Sequence, residues 1–163
     1  MAVNAFVTFE KASVGSVPEE FEIRDFSFGI ENPTTIGSAT GGAGAGKIKL
    51  NGFNIKKTTD GTSATFFKNC CAGAHYKTVT IELRKTAPDP AASAKPFLRF
   101  RFDTVFTTKI DWSGPGDEGP EESITFVYGK LGVKFIPQEP GSQPVQASWD
   151  QVLNQAADVF ADG

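Results

Sequence analysis

Residues 122–136 read ESITFVYGKLGVKFI, and their phase decides the fold. Ile124, Phe126 and Tyr128 fall on every second position, the period of a strand with one buried face. After Gly129 the apolar set continues as Leu131, Val133 and Phe135, displaced by one residue. In a flat strand that slip would turn the second half of the apolar set to the wrong side. A strand bent at a glycine keeps both halves buried, as at the corner of a curled sheet.

The same event recurs along the chain. Phe21 and Ile23 share one parity, while Phe26, Phe28 and Ile30 take the other, with the change at Arg24-Asp25. Ile48 and Leu50 are followed by Gly52, then by Phe53 and Ile55 in the opposite phase. Ala5, Val7 and Phe9 mark a first strand. Val79, Ile81 and Leu83 mark another. Leu98, Phe100 and Phe102 mark a third, which continues through Val105 and Phe106. These patterns predict an all-β chain with one α-helix, a compact β-barrel of two sheets with bulged strands. The 163 residues form a single domain. The helix is expected near 62–72. Thr62 or Ser63 caps it, Phe66, Phe67, Cys70 and Cys71 form its stripe, and Gly73 ends it. In the C-terminal tail, 139–163, the segment SWDQVLNQAADVF matches a second, short helix through Val152, Leu153, Ala156 and Phe160. Residues 86–96 read as a Pro-rich connection, and 113–122 as a solvated acidic turn.

Composition narrows the function. Sixteen Lys and Arg against 19 Asp and Glu leave no basic excess to hold a phosphate backbone, which argues against nucleic acid. No apolar run approaches the roughly 20 residues of a membrane helix, and no basic-then-apolar leader opens the chain, so neither membrane insertion nor a signal peptide is expected. The two cysteines, Cys70 and Cys71, are adjacent. They are expected as thiols packed against apolar neighbours in a reducing cytoplasm.

Chemical motifs are sparse. Gly41 to Lys47 fits the spacing of a phosphate-binding loop, but Ile48 stands where a hydroxyl should hold magnesium. The glycines also precede a strand and not a helix. Cys70, Cys71 and His75 offer three potential metal ligands without a fourth. Asp117, Glu118, Glu121 and Glu122 lie in the Gly/Pro-rich turn, with nothing to desolvate them. The sequence therefore predicts no enzyme, no metal and no cofactor. What remains is surface. Phe6 lies opposite Val7, Phe106 beside Val105, and Val127 between Phe126 and Tyr128. Strands apolar on both faces need a cover, which contact between subunits supplies.

At these same residues the chain resembles the Hcp family, the tube-forming protein of type VI secretion systems. The likeness lies in FSFGI (26–30), the Gly-rich loop GSATGGAGAGK (37–47), and FNIKKTTDGTSATFFKNCCAGAHYKTVTIELRK (53–85). It continues in ESITFVYGKLGVKFIPQ (122–138) and in Trp149-Asp150 with Asn154. It departs at Ala64, near which the family has Pro, and at the Pro-rich insert 86–96.

The resemblance implies a β-barrel of two sheets assembling as a hexameric ring. Rings would stack into a tube inside a sheath, capped by a spike, built on a baseplate and carrying small effector proteins. The protein would be cytoplasmic, then exported through the apparatus. By the same likeness the extended loop 31–46 reaches the next ring. Its stacking residues are Gly37, Ser38, Ala39, Thr40, Gly41, Gly42, Ala43, Gly44, Ala45 and Gly46. Ser27, opposite in parity to Phe26 and Phe28, is expected to face the channel. A monomeric β-barrel adaptor for a small protein partner is the alternative. An enzyme would have His75 as its only evident handle.

Overall fold

A computed structural model describes residues 2–12, 20–36, 43–44, 47–86 and 95–161. Four long antiparallel strands carry the architecture: β1 (Val3–Ala12), β9 (His75–Lys85), β10 (Pro96–Ser113) and β11 (Glu121–Phe135). Shorter strands join them: β2 (Phe21–Ile23), β3 (Asp25–Ser27), β8 (Phe53–Thr58), β12 (Val145–Asp150) and β13 (Gln155–Ala156). The sheet runs β13-β12-β11-β10-β9-β1-β2, and β8 pairs with both β11 and β3. Among the described residues no ladder joins β2 to β8, so the sheet is not closed. There the Arg24 amide donates to the Lys56 carbonyl at 2.8 Å.

Each parity flip marks a change of partner. Before Arg24, β2 pairs with β1; after it, β3 pairs with β8. Before Gly52, β7 (Lys49–Leu50) pairs with β4 (Ile30–Glu31); after it, β8 pairs with β11. A Cβ at Gly52 would stand 2.8 Å from the Phe126 carbonyl oxygen, which only glycine avoids. Before Gly129, β11 pairs with β8; after it, with β12. The flip at Gly129 crosses three strands. Burial passes from Tyr76 to Val79 in β9, from Val105 to Phe102 in β10 and from Tyr128 to Leu131 in β11. The crease centres on Thr104, whose φ of 56° is left-handed, and neither ladder of β10 has a pair there.

The core is aromatic. Phe53 stacks between Phe102 (4.1 Å between centroids) and Phe126 (4.7 Å). Phe9 meets Tyr76 and Phe66 edge-on at 4.8 and 5.1 Å. Each such side chain withdrawn from water contributes about 1.5–3 kcal/mol, and edge-on pairs add to it. Helix α1 (Ser63–Ala72) lies over one side, beside β10, with Gly73 left-handed at its end (φ 64°). It buries Ser63, Phe66 and Asn69, whereas Phe67 and Cys71 are exposed. The inward stripe is thus 63/66/69, at i+3 spacing, and not the expected pairing of Phe66 with Phe67 and Cys70 with Cys71. Asn69 belongs there because its amide donates to the buried Tyr76 hydroxyl at 2.8 Å.

The C-terminal segment is not a helix. Residues 145–156 form the hairpin β12–β13, with Asn154 left-handed (φ 52°) in its turn. Its strap then returns over β11. Val159 and Phe160 are buried on the outer side of the sheet, where Gly132 leaves them room.

Candidate functional site

The outward side of β3, β8, β11 and β10 is polar in cross-strand rows. Ser27 pairs with Asn54, Asn54 with Thr125, and Thr125 with Lys109. The next row is Asp25, Lys56, Ser123 and Asp111. Ser27 is exposed, while Phe26 on the opposite face packs towards Phe28 and Phe100. The Asn54 amide donates to the Ser123 and Thr125 hydroxyls at 2.7 and 3.0 Å, which ties the face together. Along the same side of β11 the character then changes. Val127 and its neighbour Phe106 are exposed, and the Phe106 ring lies tilted beside His75 at 5.6 Å. Of the double-sided apolar strands inferred from sequence, those of Phe106 and Val127 carry their outer residues uncovered in the single chain, whereas Phe6 is half-buried under the Arg84 guanidinium at 4.5 Å.

The Gly-rich segment is partly a ribbon. Beyond the β4–β7 pair, β5 (Thr35–Ile36) pairs with β6 (Ala43–Gly44). Of the expected stacking residues, Gly37, Ser38, Ala39, Thr40, Gly41, Gly42, Ala45 and Gly46 lie outside the described residues, as does most of the 86–96 connection. At the ribbon's base an open cleft of about 190 Å³ is lined by Ile30, Ile48, Leu50, Leu131, Val133 and Trp149. Ala43 and Gly44 sit in a strand pair, which is not the strand-to-helix setting of a phosphate loop.

Glu122 corrects the expectation of a wholly solvated acidic turn. Its side chain is 1% exposed and its partner Lys57 2%. The Lys57 ammonium donates to Glu122 Oε1 at 2.6 Å and to Asp60 Oδ1 at 3.0 Å. The Ser63 hydroxyl and Trp112 indole donate to the same carboxylate at 2.9 and 2.8 Å. Buried charge survives only when paired and hydrogen-bonded in this way. A signal was available. Lys57 is in phase with Phe53 and Ile55, and Glu122 with Ile124 and Phe126, so alternation alone turns both inward. Burial works to raise the Asp60 carboxyl, but hydrogen bonds from Thr62 and Lys57 outweigh it and hold it below its ordinary value. Arg24, paired with Glu118 and Glu121, holds the exposed part of the turn.

Cys70 and Cys71 are free thiols. Cys70 is half-buried, but Cys71 is exposed and not packed inward. Among the described residues no three His, Cys, Asp or Glu side chains are placed to hold a metal. Among them, too, no helix is long and apolar enough to cross a membrane.

Comparison with known proteins identifies the family. The family model for the type VI secretion system effector Hcp matches residues 12–135. A solved structure of a type six secretion system protein superposes with a TM-score of 0.81 at 21% identity, covering 96% of this chain and 100% of that one. Hcp1 from Salmonella typhimurium superposes at 0.73 and 18% identity, with 96% and 100% covered. The anti-feeding prophage cap that terminates a tube superposes at 0.58 and 11%, with 80% and 87% covered. No curated protein sequence matches. A match spanning three-quarters of the chain, on a fold shared from end to end, shows that the chain belongs to the Hcp family of type VI secretion system effectors.

Proposed function

We propose that this chain is a structural tube subunit. It forms hexameric rings that stack into a propelled tube, with small effector proteins in the lumen. The spike, sheath and baseplate of the machine are its further partners, and it leaves the cytoplasm through them. The observation that carries this is the outward side of β11. There a polar face, tied by hydrogen bonds from Asn54 to Ser123 and Thr125 and continued on β3 by Ser27, abuts exposed apolar residues (Phe106, Val127). A ring subunit needs both: a wettable wall for the channel and an apolar flank for its neighbours. Ser27 belongs to the wall. The ribbon and loop 31–46 contact the next ring. Small residues there allow close approach, and ordering them costs entropy, so each ring-to-ring contact is weak alone and strong in the stack.

Electron microscopy and mass measurement of the purified protein test this. Rings with a central hole, several times the 17.4 kDa of one chain, are expected. A chain lacking 38–46 should keep rings and lose tubes. A monomer at all concentrations refutes the proposal and favours an adaptor.

A further inference from the structure

On the outer side of the crease lies a cleft of about 230 Å³ that the assembly does not explain. Lys77, Arg101 and Lys130 line it on the sheet side, and Asp158 and Ala161 of the C-terminal strap line the other. Its carboxylates already have donors. Asp103 accepts from the Thr78 hydroxyl at 3.3 Å, and Asp158 Oδ1 from the Phe160 amide at 3.0 Å. Its cations are held loosely. The Lys130 ammonium stands 3.8 Å from Asp150 and is half exposed. Arg101 is only 16% exposed, and its buried Nε–H faces Asp103 Oδ1 at 3.5 Å without a hydrogen bond. A guanidinium withdrawn from water and weakly paired is costly, and an acceptor meeting its terminal N–H groups in the cleft would offset part of that cost.

We propose that this cleft binds a small oxyanion, a phosphate or carboxylate group, between Arg101 and the Lys77 and Lys130 ammoniums. The planar guanidinium suits two oxygens of such a group, and the two lysines supply charge without fixed geometry.

The test is thermal unfolding of the full chain, titrated with inorganic phosphate or with acetate against chloride at constant ionic strength. Binding to the folded state alone raises the midpoint saturably. A saturable rise with phosphate identifies a phosphate site, and one with acetate a carboxylate site. Arg101→Lys keeps the charge but loses the fork and should weaken binding about tenfold. Lys130→Gln, on a half-exposed side chain, should weaken it severalfold without disturbing the fold. A linear rise of equal size in all three proteins reflects general exclusion of the salt from the surface and overturns the proposal. So does no rise at all.

Discussion

Replacing Lys57 by Met would leave the Glu122 carboxylate in the interior with its hydroxyl and indole donors but without its cation. Both side chains are almost wholly buried, so water cannot substitute. Breaking a buried pair by removing one partner costs about 3–5 kcal/mol. That is a large share of the roughly 5–15 kcal/mol by which a domain is stable, and for this length it amounts to a fall of about 6–20 °C in Tm. Removing both charges is a different perturbation. In Lys57→Met with Glu122→Leu, no uncompensated charge remains. Trp112 is half exposed and finds water, and Ser63 still accepts from the Asp60 amide at 3.0 Å. The double variant should recover most of the loss and lie within about 1–2 kcal/mol of the parent. Urea unfolding at fixed protein concentration, read as midpoint and slope, measures all four corners of the cycle. The reasoning fails if Lys57→Met costs under about 1 kcal/mol, or if the double variant is as unstable as the sum of the singles.

Four further outcomes are expected. Ser27→Gln enlarges an exposed side chain on the polar face, so it should change which effectors co-purify while ring mass stays constant; an unchanged cargo profile counts against the channel assignment. Gly132→Ala would place a Cβ 2.2 Å from Val159 and 2.6 Å from Phe160, so it should lift the strap, cost about 1–3 kcal/mol and speed proteolysis after residue 156. Thr104→Gly relieves a β-branched residue at φ 56° and should raise stability by up to about 1 kcal/mol in the same urea assay, where a loss would contradict the strain. Burial pushes the Tyr128 phenol from 10.0 up to about 12. Its neutral form therefore stabilises the fold below pH 10, and that contribution disappears as pH rises from 10 towards 12. Tyr128→Phe should flatten stability against pH across that window.

Most of the scaffold was legible because its signal is local. Alternation located the long strands, and each phase slip located a change of partner, at Arg24, Gly52 and Gly129. Thr104 escaped notice because Val105 and Phe106 are both apolar, so the phase of β10 is ambiguous there, and threonine does not advertise a left-handed backbone. The C-terminal hairpin resembles a helix in sequence because Val152 and Leu153 imitate a helical stripe, whereas they are exposed turn residues and the buried pair is Val159 and Phe160. Composition groups Glu122 with its acidic neighbours, although its parity points inward. The Arg101 cleft was beyond sequence reasoning. It depends on the strap returning across the sheet, a contact between residues nearly sixty positions apart.

The crease through Thr104 and Gly129 also bears on how this chain tolerates insertions and deletions. Because it reverses which parity faces inward, losing one residue from β10 or β11 would turn only one half of the strand inside out, up to the crease. The other half would keep its register and its partners. Length variation should accordingly accumulate in the ribbon and the connections, and the span from crease to strand end should be conserved in length even where its residues change.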